Sequence, residues 1–537
     1  MNNKRLIGGI SIICMLLLCT VASIIYGQNH KQEVRNSYAG ELPAAPIQEN
    51  PLQGINEDFT VTAEFSSHLP IVVIDTGGIE PPVNTYFKKD HENSTNGIYV
   101  PIEGLDPYVE GTIYVLEKES GMNSLADEPV LSSCIRIKRR GNTSMNYEKA
   151  QWMVKTITES GQYNEVDMLG MGAEHDWILN GSMYDKSMLR NYLAYSIASE
   201  ILENTPDSRY CEVLLKDGNT YKYQGVYLMM ESIEQGTDRV NISEYHQGDD
   251  FNSYLIRRDR FDEEAITLDN FGRLNGYSTE YMAIMYPSKK HITDEMISYV
   301  NNDINYIEEI LYSDDQDVFS RYQDVIDVDS FIDYFLINEF FGNYDAGNNS
   351  TYFYKDMGGK LTMGPVWDFD GAMDNYMYEP FETGSLAFYT KPWFNRLCKD
   401  EGFLHKLEKR YTKLRQTTLS NQHVIGKIDE IIAYLGGARQ REWMRWGHWY
   451  QTENRYSLLE YTTKDGNTLC RNATTYEDEI YRIKTVLREH GDSIPDALKL
   501  LEKDADTITG FETWMGYLLL LAAAIFFIPA IFVSFRK

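Results

Sequence analysis

Acidic side chains that can hold a metal ion are concentrated between residues 343 and 374. Asp345 comes first, and Asp368 and Asp370 follow on either side of Phe369. Between these two acidic points the sequence has a β-hairpin pattern, in which turn-forming Asp and Gly residues separate two apolar runs. A hairpin returns the chain on itself, so we expect the carboxylates of Asp345 and Asp368 to lie near one site. Mg²⁺ prefers oxygen ligands of this kind.

The same residues also fit a purely structural interpretation. Asp, Asn and Gly are common turn formers, and many hairpins carry acids at their tips. The two acids beside Phe369 favour a metal site, because they directly follow an apolar strand, where a charge is costly unless it is paired or coordinates a metal. A protein kinase has its parts in the same order, with a base Asp, then a metal-binding Asn and a metal-binding Asp. Here Asn348 and Asn349 lie between the acids.

A short turn upstream contains the kind of residues that cradle phosphate groups. Its members are Arg140, Gly141, Asn142, Thr143 and Ser144. A Gly beside small hydroxyl residues and an Arg allows backbone N–H groups to face an anion. The alternative is an ordinary tight turn between two strands.

A lysine follows this turn on a predicted strand, Gln151–Thr156. Lys155 on this strand could reach the phosphates of a nucleotide, and Lys149 is the competing residue. The alternative for Lys155 is a lysine on a solvated strand surface. Downstream, apolar residues at helical spacing predict a helix over 185–203, with Asp185 as a capping residue or as a partner of Arg190.

The composition excludes some classes of function. The formal net charge is −30, which argues against nucleic acid as a partner because phosphate contacts need Lys and Arg surfaces. An acidic field fits a soluble surface or the attraction of basic protein substrates. The ten His residues do not cluster, so zinc catalysis is not expected. No GxSxG, HExxH or GxxxxGKS motif is present.

Two apolar segments predict a bacterial membrane protein with one or two spans. Leu6–Tyr26 follows basic residues and fits a signal peptide or an uncleaved anchor within residues 1–27. Trp514–Phe535 precedes Arg536 and Lys537 and predicts a transmembrane helix over 514–535. On this interpretation the body of the protein lies outside the cytoplasm.

Shifts in composition divide the remaining chain into four parts. Residues 28–65 are polar and contain several Pro residues, as in a linker. Residues 66–240 alternate like strands and include the helix at 185–203, so they predict a β-rich lobe. Residues 241–400 hold the acidic motifs and several helices. Residues 401–510 predict a helical extension without recognisable chemistry.

In combination, these motifs resemble the spore-coat protein H (CotH) kinase-like family. The matching stretches, in chain order, are RGNTS, WMVK, DKSMLRNYLAYSI, QGVYLMMESI and NYDAGNNSTYFYKDMGGKLTMGPVWDFD. Each is weak alone, but their order is specific, and the resemblance covers roughly residues 66–385. It implies an α+β, atypical protein-kinase-like fold with a β-rich small lobe and a helical large lobe, here between terminal membrane helices.

The family further implies an activity and the residues that carry it. ATP and Mg²⁺ or Mn²⁺ would be used to phosphorylate Ser or Thr of surface or spore-coat proteins, with basic or Ser-rich proteins as partners. Asp345 resembles the catalytic base. The metal ligands carried over are Asp368, Asp370 and Asn349, with Asn348 and Ser350 as alternatives to Asn349. The residues carried over to the nucleotide are Lys155 or Lys149, the turn from Arg140 to Ser144, and Glu231 at the segment that leads under adenine.

The chain departs from the kinase pattern in two places. It has no GxGxxG motif, and DFD replaces DFG. An inactive surface or adhesion protein on the same scaffold is therefore an alternative, in which the acids bind a cation or cap turns. A metal-dependent hydrolase is a third possibility, which would need a base beyond these acids. Retention of Lys155, Asp345, Asn349 and Asp368 favours the kinase.

Overall fold

A computed structural model of the chain describes residue 38 and residues 42–46, 50–89, 97–246, 252–378, 380–452, 456, 458–463 and 465–503. These residues belong to one compact unit that spans residues 37–537. Residues 1–36 lie outside the described residues.

Most strands lie in the first half of the chain. They are β1 Thr60–Val61, β2 Ser66–Ser67, β3 Ile71–Asp75, β4 Thr85–Lys89, β5 Gly97–Pro101, β6 Val109–Leu116, β7 Asn123–Ser124, β8 Leu131–Arg139, β9 Trp152–Ile157, β10 Val166–Asp167, β11 Ala173–Glu174, β12 Asp176–Asn180, β13 Ser208–Asp217, β14 Thr220–Glu231, β15 Tyr254–Asp259, β16 Tyr281–Tyr286, β17 Thr351–Lys355, β18 Thr362–Met363, β19 Glu460–Thr462 and β20 Thr468–Cys470.

The helices follow a different distribution and dominate the second half. They are α1 Arg190–Ala198, α2 Phe271–Leu274, α3 Asp294–Leu311, α4 Gln316–Phe319, α5 Tyr322–Val325, α6 Val328–Phe341, α7 Phe394–Leu397, α8 Glu401–Arg415 and α9 Asn421–Tyr450. Two 3₁₀ turns cover Thr143–Asn146 and Phe388–Thr390. Residues 476–503, called the C-terminal helix below, are also helical.

The larger sheet has eight strands in the order β1-β14-β12-β9-β8-β6-β3-β13. Because β13 also pairs with β14, every strand except β1 belongs to a closed ring of pairings. Successive side chains of a strand point to opposite faces. Ile137 on β8 and Val154 on β9 are thus buried inside the ring, whereas Arg136 and Lys155, which pair across these strands, point outward.

A second sheet carries the hairpin predicted between the two acidic points. Its four strands have the order β16-β15-β17-β18. The hairpin is confirmed, since β17 and β18 pair antiparallel with Phe353 opposite Met363. Helix α6 leads into this hairpin and ends at Gly342, which has a left-handed backbone with φ 61°. A Cβ at this glycine would collide with the ring of Phe381.

A single apolar core joins the larger sheet to the second sheet and the helices. Ile178 and Met230 of the larger sheet belong to the same buried cluster as Phe353 of the second sheet, Phe335 of α6 and Ile431 of α9. The predicted kinase-like division into a β-rich small lobe and a helical large lobe is therefore wrong. Separate lobes need few contacts between them, whereas here the apolar outer face of the larger sheet is buried by residues of the second half.

The prediction of a membrane-anchored protein is corrected as well. Among the residues that the structure describes, no helix is long and apolar enough to cross a membrane. The two segments on which the prediction was based, Leu6–Tyr26 and Trp514–Phe535, lie outside the described residues.

Candidate active site

Helix α1 holds the segment that carries the two acids of the predicted metal site. The backbone N–H of Phe369 donates to Oδ1 of Asn191 at 2.8 Å, and Nδ2 of Asn191 donates to the carboxylate of Asp370. The hydroxyl of Tyr195, four residues further along the same helix face, accepts from the backbone N–H of Asp368 at 3.3 Å. The positions of both acids are therefore fixed from one helix.

Buried arginines hold the rest of this segment in an unusual backbone conformation. Three of its residues have left-handed backbones: Asp368, Met373 and Asp374, with φ 60°, 52° and 63°. Such conformations are uncommon for residues other than Gly and are kept only when neighbouring contacts impose them. Arg190 donates to the carbonyl oxygens of Ala372 and Met373 at 2.9 and 3.1 Å, and Arg482 donates to that of Asp374 at 2.8 Å.

The structure brings Asp345 to the other side of the site. Its carbonyl oxygen accepts hydrogen bonds from the N–H groups of Asn348 and Asn349, at 3.2 and 2.8 Å, which closes a tight turn before β17. The Asp345 carboxylate is near enough to Asp368 for its charge to raise the pKa of that group. The hairpin thus brings the two acids within range of each other's charge, as expected.

The charges of the site fit a divalent cation. Burial is the main cause that raises the pKa of Asp368, and the charge of Asp345 is the second cause. For Asp370, burial is again the main cause of the raised pKa, and the charge of Asp368 is the second. Within the described residues neither acid forms an ion pair. The hydroxyl of Ser350 donates to Oδ2 of Asp368 at 3.3 Å and adds another oxygen. This all-oxygen set with excess negative charge is one that Mg²⁺ or Mn²⁺ stabilises.

The three candidates for the additional metal ligand occupy different places. Ser350 contacts Asp368 directly and has a left-handed backbone, with φ 49°. Asn348 points away, since its Nδ2 donates to Oε1 of Glu280 at 3.1 Å. Asn349 donates its backbone N–H to Asp345, and its own carbonyl oxygen accepts from the hydroxyl of Thr351. Ser350 is therefore the residue of the three that the structure places on the metal-site acid.

A closer grouping of possible metal ligands exists elsewhere on the surface. In the described part of the chain, three ligand atoms lie within 4.8 Å of one another at His405, Glu408 and Glu502, where α8 meets the C-terminal helix. The acids of the candidate site do not gather three atoms so tightly among the described residues. A cation there would complete its shell with waters or phosphate oxygens, as Mg²⁺ commonly does.

The predicted phosphate turn joins β8 to β9 beside these acids. The guanidinium of Arg140 lies 5.5 Å from the ring centroid of Trp367, and its charge opposes the rise in the pKa of Asp368. Gly141 has φ 99°, and a Cβ there would collide with Oγ of Ser144. Asn142 is exposed, and Thr143 begins the 3₁₀ turn Thr143–Asn146. The turn thus requires its glycine and places an arginine at the metal-site acid.

Cations line the outer surface of β8 and β9 and lead to this turn. Lys155 forms an ion pair with Asp176 on β12. Burial acts to lower the pKa of Lys155, but the charge and the hydrogen bond of Asp176 together outweigh it and raise the pKa. Lys138 and Arg136 lie over the ring of Tyr108, at 5.1 and 4.6 Å from its centroid. We call Arg136, Lys138, Arg140 and Lys155 the basic face.

Lys138 is a member of this face that sequence reasoning missed. Burial is the main cause that lowers the pKa of Lys138, and the charge of Lys155 is the second cause. Among the described residues, no acid forms an ion pair with the ammonium of Lys138. The carboxylate of Glu264 lies near enough for its charge to oppose the lowering of the pKa. A half-buried cation between Lys155 and Arg140 is costly unless an anion binds there. The alternation of Arg136, Lys138 and Arg140 along one strand was the pattern in the sequence that could have identified it.

Two other predicted nucleotide residues are engaged in buried structural contacts. The ammonium of Lys149 is completely buried and donates to Glu442 on α9 at 2.6 Å and to the carbonyl oxygen of Val226 at 2.7 Å. Glu231 is buried, accepts from Nη1 of Arg239 at 2.8 Å and also binds the backbone N–H of Asp207. The structure therefore does not bring Lys149 or Glu231 to the acids.

The C-terminal helix supplies charged residues beneath the acidic segment. Glu479 forms ion pairs with Arg190 at 2.7 Å and with Arg482 at 2.8 Å. Burial acts to raise the pKa of Glu479, but Arg482 and Arg190 outweigh it and lower the pKa. Arg471 adds an ion pair with Asp374 at 3.0 Å. The residues after position 400 are therefore part of the support of the site, which the sequence did not suggest.

The family resemblance is confirmed by comparison with known families. The family model described as CotH kinase protein matches residues 137–494, which includes the C-terminal region as well as the acidic motifs. No curated protein matches the chain.

Proposed function

Because this chain belongs to the CotH kinase protein family, we propose that it is a protein kinase that transfers the γ-phosphoryl group of ATP to a Ser or Thr hydroxyl. The observation that carries the proposal is the closeness of Asp345 and Arg140 to Asp368, whose charge in turn acts on Asp370. A phosphoryl transferase needs a base, a metal site and cations for phosphate, and this cluster offers each of them.

The basic face supports binding of the triphosphate. Asp176 holds the ammonium of Lys155 in place, in the way that an acidic partner orients the phosphate-binding lysine of kinases. Lys138 lies between Lys155 and Arg140, so the cations form a continuous path that ends at the metal-site acid. In a chain with a net charge of −30, such a path favours a multiply charged anion.

Asp368 and Asp370 would hold the divalent cation, with Ser350 or Asn349 as a further oxygen ligand. The bound cation would neutralise charge on the β- and γ-phosphates. Helix α1 contributes by fixing these acids in advance through Asn191, so that little reorganisation is needed during the reaction.

Asp345 would act on the acceptor. Its carboxylate accepts the proton of the Ser or Thr hydroxyl as the oxygen forms its bond to phosphorus, and ADP leaves as the bond to its β-phosphate oxygen breaks. The turn at Asn348 and Asn349 fixes the backbone of Asp345. We further propose that the acceptors are basic or Ser-rich surface or spore-coat proteins, which the acidic surface would attract.

Phosphate transfer by the purified full chain tests the proposal. Labelled ATP with Mg²⁺ or Mn²⁺ is expected to label the protein itself or an added Ser-rich basic protein, and Asp368→Ala is expected to abolish labelling. Asp314→Ala, at an exposed acid, is the matched control. Absence of labelling, together with no ATP- or metal-dependent rise in melting temperature, would contradict the proposal and favour an inactive binding protein.

A further inference from the structure

A polar cavity borders the turn that carries Asp345. Its volume is about 330 Å³, and its lining includes Ser278, Thr279, Glu280, Asn348, Thr390 and Lys391. No residue of the basic face and none of the acids at 368 and 370 belongs to this lining. The turn that carries Asp345 contributes Asn348 to the lining, and the charge of Asp345 acts both on Asp368 and on Lys391 of the lining.

Lys391 is the residue of the lining that is tied most closely to Asp345. Its ammonium donates to the carbonyl oxygen of Tyr344, the residue directly before Asp345. Its stem packs against Gly347, where an added Cβ would lie 2.7 Å from both Cβ and Cγ of Lys391. Gly347 has φ 87°, so a larger residue is also disfavoured by backbone strain. Lys391 therefore holds the turn around Asp345 from both ends.

The electrostatics of Lys391 agree with this geometry. Burial lowers the pKa of the ammonium, and the charges of Asp345, Glu280 and Glu339 oppose the lowering. These three acids come from three different places in the chain, and the Lys391 ammonium interacts with all of them. An interaction with Asp345 restricts the directions that its carboxylate can take.

Another part of the lining is fixed by hydrogen bonds to Glu280. Its carboxylate accepts from Asn348 at 3.1 Å and from the hydroxyls of Ser278 and Thr279 at 3.1 and 2.8 Å. Burial acts to raise the pKa of Glu280, but these hydrogen bonds outweigh it and lower the pKa. This part of the lining is therefore formed before any ligand binds, as most ligand sites are.

We propose that this cavity is the acceptor subsite of the kinase and that Lys391 is the positioning residue that fixes Asp345 at its edge. The inference rests on the proposed function and deepens it. In an in-line transfer the acceptor oxygen approaches the phosphorus from the side opposite the leaving group. With the phosphates at the basic face and Asp368, the cavity beside the turn of Asp345 offers the acceptor a separate approach. A polypeptide segment bearing a Ser or Thr is the ligand.

Substitution of Lys391 tests the positioning role. Lys391→Met is expected to lower kcat about 100-fold, the size of effect that a small misplacement of a reacting group produces, and to leave the KM for ATP unchanged. Lys399→Met, at an exposed lysine nearby, is the matched control. An unchanged kcat in Lys391→Met would overturn the role of Lys391.

Chemical rescue keeps this test informative if the Met variant folds poorly. Lys391→Cys treated with 2-bromoethylamine regains a side chain like that of lysine, and kcat is expected to recover to within about tenfold of the wild type. The same variant treated with iodoacetamide gains bulk without an amine and is expected to remain slow. Wild-type protein treated with each reagent controls for Cys470, which is exposed. Equal rates after the two reagents would contradict the proposal.

Filling the cavity tests the acceptor subsite separately. Thr390 is exposed at the rim, and Thr390→Trp is expected to raise the KM for the acceptor at least about tenfold while the KM for ATP stays constant. An unchanged KM for the acceptor would overturn the subsite. Failure of the wild type to transfer phosphate would instead defeat the proposed function, and this inference with it.

Discussion

Arg190 and Glu479 lie 289 residues apart in the chain and form a buried ion pair, with 2.7 Å between Nη1 and Oε1. The same arginine donates to the carbonyl oxygens of Ala372 and Met373, two and three residues after the metal-site acid Asp370. The C-terminal helix is thereby connected to the site through Arg190, in addition to the hydrogen bond that its own Arg482 donates to the carbonyl oxygen of Asp374. This connection gives the C-terminal region a role that its sequence alone did not indicate.

Removal of the charge of Glu479 is expected to destabilise the protein strongly. Glu479→Gln leaves Arg190 and Arg482 buried with too little compensating charge, and loss of one partner of a buried pair typically costs about 3–5 kcal/mol. Urea denaturation followed by circular dichroism measures the change. Glu477→Gln, at an exposed acid on the same helix, is expected to change the stability by less than about 0.5 kcal/mol. Equal stabilities of the two variants would contradict the account.

Asn191 is expected to matter for both stability and metal binding. Asn191→Ala removes the acceptor for the N–H of Phe369 and the donor to Asp370, so a loss of about 1–3 kcal/mol is expected. Because the acids are then held less firmly, the Mn²⁺ concentration needed for half-maximal thermal stabilisation should rise about tenfold or more. Asn302→Ala, at an exposed Asn on α3, is the control. Unaltered Mn²⁺ dependence would show that α1 does not position the acids.

Gly141 can be tested for two separate effects in the phosphate turn. In Gly141→Ala, the alanine would have a disfavoured positive φ and its Cβ would collide with Oγ of Ser144. The free energy of unfolding should therefore fall by more than the roughly 1–2 kcal/mol that the backbone strain alone costs. Gly121→Ala isolates the strain, because Gly121 has φ 94° and open space around it. Gly141→Ala combined with Ser144→Ala should recover the difference, as thermal denaturation would show. If Gly141→Ala destabilises the protein no more than Gly121→Ala does, the account of a tightly packed turn is contradicted.

The stability of the protein is expected to depend on pH through Glu234. Burial raises the pKa of Glu234 from 4.5 to about 7, so the folded protein binds this proton more tightly than the unfolded chain does. Its contribution to stability is therefore complete below pH 4.5 and is lost as the pH rises towards 7. Each unit of pKa difference corresponds to about 1.4 kcal/mol.

Glu234→Gln provides the comparison, because it cannot ionise. The difference in unfolding free energy between this variant and the wild type should grow in favour of the variant between pH 4.5 and 7. Glu244→Gln, at an exposed acid, should follow the wild type. Parallel pH profiles for wild type and Glu234→Gln would contradict the assigned pKa.

Local patterns allowed the acidic part of the site to be predicted. Turn residues and two apolar runs specified the hairpin β17–β18, and a hairpin necessarily brings its ends together. The meeting of Asp345 with Asp368 followed from this short-range geometry. The sequence also placed Lys155 on a strand after the phosphate turn, although it did not reveal that Asp176 is its partner.

Long-range packing accounts for what could not be predicted. Lys149 and Lys155 are equivalent in residue type, and only the arrival of Glu442 from α9 commits Lys149 to the interior. The division into two lobes failed for the same reason, because apolar residues of the second half cover the apolar outer face of β12 and β14. The contribution of Glu479 required knowledge of contacts 289 residues apart.

The central claim is that Asp345 and Asp368 act together at one site, and a double-mutant cycle tests it most directly. Rates of phosphate transfer are measured at saturating ATP and acceptor for the wild type, Asp345→Asn, Asp368→Asn and the double variant. Residues that act as a unit have non-additive effects. We expect each single variant to lose at least about 1,000-fold and the double variant to be no slower than the slower single variant. The account would be contradicted if the fold losses in rate of the two single variants multiplied in the double variant, or if Asp345→Asn retained the full rate.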